Sequence, residues 1–95
     1  MTTKQEFIAT EFPKLNFYTS QILKVHGAHH PELANVRELF VDMATKIDAD
    51  PAADVNPDLD KLASVTNNYL IPEDGCEAYQ ATYVLLHEFQ QLARA

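Results

Sequence analysis

Apolar residues between Pro31 and Asp48 recur at steps of three and four: Leu33, Val36, Leu39, Phe40, Met43 and Ile47. That spacing places them on one stripe of an amphipathic helix. Proline is tolerated in a first helical turn but clashes further in, so Pro31, Pro57 and Pro72 each read as the approach to a helix. After Pro57, Leu59, Leu62, Val65 and Tyr69 predict a helix to about Tyr69, with Asn56 as N-cap and Asp58 and Asp60 complementing its dipole. After Pro72, Cys76, Tyr79, Tyr83, Leu86 and Phe89 predict another, opening on Glu73 and Asp74 and running to about Ala93. Cys76 is expected there as a small buried apolar residue. Upstream, Phe7, Ile8, Phe12, Leu15, Tyr18, Ile22 and Val25 predict a helix over Thr3 to Val25, kinked at Pro13 and closed by Gly27 in the left-handed conformation.

No segment alternates as a half-buried strand does, and no repeat of solenoid length is visible. The stretch from Ala49 to Val55 is a linker within one domain. Four apolar stripes joined by short connections are best buried in an all-α, antiparallel four-helix bundle, one domain spanning residues 1–95.

Composition adds limits. An apolar share of 46 % with only two glycines describes a chain that folds by burial. Fourteen acidic against seven basic side chains give a net charge of −7, which repels phosphate backbones and anionic headgroups. Nucleic acid and membrane surfaces are therefore not expected partners. The single Cys76 forms no internal disulfide, and the N-terminal residues lack the apolar stretch of a signal peptide, so a cytoplasmic location is expected.

The densest polar cluster is His26-Gly27-Ala28-His29-His30-Pro31-Glu32, at a helix-to-helix corner. Imidazole nitrogen and carboxylate oxygen both suit zinc or iron, which makes His26, His30 and Glu32 the candidate metal ligands. The structural alternative is that His26 complements a helix C-terminus while His29 or His30 caps the next helix. A calcium loop starting at Asp48 would need glycine and glutamate where Ala53 and Leu59 stand, so the acidic run to Asp60 reads as solvated linker and helix start. His87 reads as a ring packed at the edge of the core. No base partner is evident for Ser20 or Ser64, and Gly27 and Gly75 cannot form a phosphate loop, so no catalytic set is expected.

Two stretches resemble a known family. Phe12-Pro13-Lys14-Leu15, Lys24-Val25-His26-Gly27-Ala28-His29-His30-Pro31-Glu32-Leu33 and Val36-Arg37-Glu38-Leu39-Phe40 are similar to the first two helices of the hemerythrin-like iron–sulfur cluster repair proteins, the Ric type. Leu62, Thr66-Asn67-Asn68-Tyr69, Ile71-Pro72-Glu73-Asp74-Gly75-Cys76, Tyr79, Tyr83, Glu88 and Phe89 resemble the end of that family's third helix and much of its fourth. The resemblance implies a di-iron carboxylate bundle that helps restore iron–sulfur clusters after nitrosative or oxidative damage. It also implies a loss of ligands. The family's first histidine falls near Lys4-Gln5, its His-x-x-x-Glu pair ending the second helix falls on Asp50 and Asp54, and the segment bearing its third-helix histidine is missing around the linker.

The expectation is a stress-related binding protein with a partial metal site for iron or another divalent metal, and no intact di-iron centre in one chain. The alternative is a metal-free interaction module whose acidic helical surface, between Glu32 and Glu77, meets a basic protein partner. A homodimer sharing ligands is a third arrangement. Convergence of the four histidines on one pocket favours metal, and their dispersal favours interaction.

Overall fold

The first helix, α1 (Lys4–His26), begins where the Thr3 hydroxyl accepts the Glu6 backbone N–H at 3.1 Å, satisfying one of the donors a helix start leaves open. It continues through Pro13, so the prolyl residue lies within one helix rather than between two. Gly27 ends it in right-handed geometry, φ −58°, and not in the left-handed state expected of it. Glycine is needed there for a different reason: a Cβ at Gly27 would collide with the Leu23 carbonyl oxygen. The computed structural model describes residues 2–94.

Helix α2 (Glu32–Ala49) buries Leu33, Val36, Phe40, Met43 and Ile47, the stripe its spacing predicts. Helix α3 (Asn56–Val65) is shorter than expected and has Val55, not Asn56, at its cap. Asn67, Asn68 and Tyr69 follow with φ of 53°, 59° and 63°, a left-handed turn that stops the helix four residues early. Helix α4 (Glu77–Ala93) starts after Cys76, while Glu73 and Asp74 form a turn ahead of it. Among the described residues there are four helices and no strand, an all-α architecture.

Side-chain contacts give the directions. Cys76, before α4, meets His26, at the end of α1, and Phe89, near the end of α4, lies 5.7 Å from Phe7 between ring centroids. Lys46, late in α2, meets Asp58, early in α3, and Arg94 after α4 reaches Asn56 and Asp60 at the start of α3. Successive helices therefore run antiparallel, as an up-down-up-down bundle. One core joins them, from the Phe7, Phe12, Phe40 and Phe89 cluster at one end to Leu33, Tyr79 and Tyr83 at the other. Arg37 Nη1 fixes the α1–α2 register, donating to the Asn16 carbonyl and Oδ1 at 2.7 Å each and to Thr19 Oγ1 at 2.9 Å.

Candidate functional site

At the end of the bundle where α1 turns into α2, the chain reverses over five residues, 27–31. His30 N–H donates to the His26 carbonyl at 2.8 Å and Leu33 N–H to the His30 carbonyl at 3.0 Å, which holds the corner without side-chain help. The imidazoles are thus free to reach across to the segment before α4. They do so in two separate pairs.

His30 is held between two carboxylates. Its Nε2 lies 2.9 and 3.0 Å from the two Asp74 oxygens, and its Nδ1 lies 3.3 Å from Glu32 Oε1. The Asp74 hydrogen bond is the main reason the His30 pKa is raised; desolvation opposes it, and the negative charge of Asp74 and Glu32 adds to the rise. The same contact lowers the Asp74 carboxyl below its ordinary value. His26 makes the other pair: its Nε2 stands 3.3 Å from Cys76 Sγ, joining residues fifty positions apart. Both histidine rings rest edge-on against the buried Tyr79, at centroid distances of 5.4 and 5.5 Å.

Tyr79 is fully buried, and its hydroxyl has no hydrogen-bond partner among the described residues. Burial pushes its pKa well above the ordinary tyrosine value, with Tyr83 alongside adding to the shift. His29 is exposed. His87 lies elsewhere, exposed on α4, its ring stacked on the core residue Tyr69 at 5.0 Å with the rings 14° apart. The Tyr69 hydroxyl donates to Gln90 Oε1 at 2.9 Å, and burial pushes its pKa up to about 12.

Of the residues singled out for metal, His26 and His30 share the corner with ring centroids 6.4 Å apart, but each points to a different partner. Glu32 serves His30 alone. Among the described residues, no three of His, Cys, Asp and Glu are placed to hold an ion together. A di-iron centre calls for about six inward-facing ligands from several helices, and the donor set here does not fit one. His30 Nε2 is occupied by Asp74, and its Nδ1 faces Glu32. Asp50 and Asp54 stand in the linker, each accepting a backbone N–H at 3.0 Å, from Ala52 and Asn56, and not on a helix face.

The residue that sequence reasoning misplaced is Cys76. It is exposed, outside α4 and at its N-cap, rather than buried in the first turn. Beside it a slot of about 290 Å³ runs between α1 and α4, lined by Phe17, Tyr18, Ile22, Val25, His26 and Cys76. The available signal was the helix start itself, whose exact residue decides whether Cys76 is an exposed cap or a first-turn position. Asp74 was noticed as a dipole-complementing acid, and its pairing with a histidine 44 residues away carried no local sequence signal.

No helix among the described residues is long and apolar enough to cross a membrane. In comparisons with family models, curated proteins and solved structures, the chain matches none.

Proposed function

We propose that this protein is a stress-related binding domain built on the scaffold of the hemerythrin-like iron–sulfur cluster repair proteins, and that it acts by meeting a protein partner and not by turnover at a metal. The single observation carrying the reading is the state of His30. A side chain that the resemblance puts in a metal-bearing corner instead spends both ring nitrogens on Glu32 and Asp74. The corner is cross-linked by charge, which is what a metal would otherwise do for it.

The partner follows from electrostatics. With a net charge of −7 and Asp42, Asp48, Asp50, Asp54 and Asp60 exposed along the α2–α3 side, this domain attracts a basic surface at long range. The attraction between exposed charges falls as salt rises, over a screening length of about 10 Å at 0.1 M.

Protein purified anaerobically and analysed for iron, zinc and manganese tests the reading, together with pull-downs at low and high salt. The expected result is far less than one equivalent of metal, and a partner recovered at low salt and released at high salt. One tightly held equivalent of metal with no partner at low salt would overturn it.

A further inference from the structure

The His26–Cys76 pair is not used by the reading above, and its surroundings are chemically distinct from the ionic corner beside it. Three features coincide on one face. The thiol is exposed and sits at the N-cap of a 17-residue helix. An imidazole nitrogen stands 3.3 Å away on another helix, where the S–H donates to an unprotonated Nε2, and Nε2–H donates back to the thiolate once the proton has moved. An apolar slot of about 290 Å³ opens against the sulfur, with Phe17 59 % exposed and Val25 68 % exposed along its rim.

We propose that Cys76 is a covalent capture site for neutral α,β-unsaturated carbonyl compounds carrying an apolar tail, with His26 as the base and the α1–α4 slot as the tail's seat. The sulfur bonds to the alkene carbon β to the carbonyl, and the displaced π pair moves through to the carbonyl oxygen. The proton that His26 took from the thiol returns to the α-carbon. Nothing leaves, nothing is oxidised, and no co-reactant is required.

The choice of electrophile follows from the surroundings. Glu73 and Asp74 precede the cysteine and Glu77 follows it, so anionic thiol reagents such as a peptide disulfide or a nucleotide thioester meet repulsion as they approach. A neutral enal does not. Aliphatic and aromatic walls then favour each methylene withdrawn from water, and the slot of about 290 Å³ is large enough for a medium-length alkyl chain.

The test measures adduct formation by intact-mass spectrometry for the whole chain, with trans-2-nonenal and the tailless acrolein as probes and N-acetylcysteine as the reference thiol. Because the chain has a single cysteine, the rapid adduct has one possible thiol. The preference for nonenal over acrolein, relative to that of N-acetylcysteine, should be about tenfold or greater. Cys76→Ser should abolish the rapid adduct. His26→Gln should slow both probes by at least about tenfold while keeping the chain-length preference, the scale expected of a positioned base. Phe17→Ser should weaken the preference for nonenal and leave acrolein unchanged. All three positions lie outside the buried core, and matching circular-dichroism melts establish that the variants fold. Rates equal to those of N-acetylcysteine for both probes would overturn the proposal. So would a His26→Gln variant as fast as the parent.

Discussion

Asp58, read from the sequence as a dipole-complementing acid, stands in the first turn of α3 and is buried there, its side chain 3 % exposed. Lys46 makes this possible by reaching from α2 to within 2.9 Å of Asp58 Oδ2, and by contacting Asp42 at 3.3 Å. The Asp58 hydrogen bond is the main reason the Lys46 pKa is raised. Removing the lysine leaves a buried carboxylate without compensation, which costs about 3–5 kcal/mol in a fully buried pair. Lys46 is itself 41 % exposed, so water screens part of that loss, and Lys46→Met is expected to destabilise by less than a fully buried pair would. The double variant Lys46→Met with Asp58→Leu should recover much of it, because no charge is then left inside. Urea unfolding of the parent, the single and the double variant checks the ordering. His30 gives the second prediction at this scale. Its folded pKa is raised, so its contribution is complete below about pH 6.5 and disappears as pH rises through the folded value. The Asp74 pKa is lowered, so its contribution is present above about pH 4 and disappears as pH falls through its folded value. The melting temperature of His30→Gln should therefore lie below that of the parent between about pH 4 and 6.5, and converge on it at alkaline pH.

At the scale of elements, α2 was legible because one stripe of six apolar residues leaves a helix a single way to face the core. The end of α3 was not. Val65 and Tyr69 keep the helical interval of four, yet Asn67, Asn68 and Tyr69 lie in the left-handed region, where side chains other than glycine, asparagine and aspartate are strained. The turn is held by several bonds: Asn68 N–H donates to the Ala63 carbonyl at 2.7 Å, Leu70 N–H to the Thr66 carbonyl at 3.1 Å, and Tyr69 N–H to Thr66 Oγ1 at 2.9 Å. In return the Tyr69 ring is delivered against Tyr83 and under His87. The adjacent asparagines were the available signal, outvoted by the spacing around them. Asn68→Ala should destabilise by about 1 kcal/mol, since alanine tolerates this backbone less well. Asn68→Gly should stay within about 0.5 kcal/mol of the parent, because relief of strain offsets the added freedom of the unfolded chain. Chemical denaturation of the two variants side by side separates backbone strain from loss of the amide side chain. Cys76 was misread for a related reason: α4 begins at Glu77, four residues beyond the expected opening at Glu73, and that shift turns a buried first-turn position into an exposed cap.

For the whole molecule, the bundle and its helix directions follow from four stripes and short connections, and most of that was visible along the chain. The corner was visible only in composition. Three histidines and a glutamate within seven residues suggested convergence, but where each ring points depends on Asp74 and Cys76, 44 and 50 residues away in sequence. Long-range pairing of this kind leaves no periodicity to read. The resulting arrangement joins the α1–α2 corner to the approach of α4 through an ion pair and a thiol–imidazole contact, over a core that the four helices close among themselves. Its stability is thus a property of the polypeptide, whereas a ligand bound only to the folded state would raise the melting temperature in proportion to its concentration over Kd. Thermal unfolding at pH 6, followed by the helical circular-dichroism signal, tests this most directly when run with a chelator and then with added iron(II), zinc(II) or manganese(II). The account predicts one cooperative helical transition with the same midpoint in every sample. A midpoint that falls by several degrees with the chelator and climbs with one of the metals would contradict it.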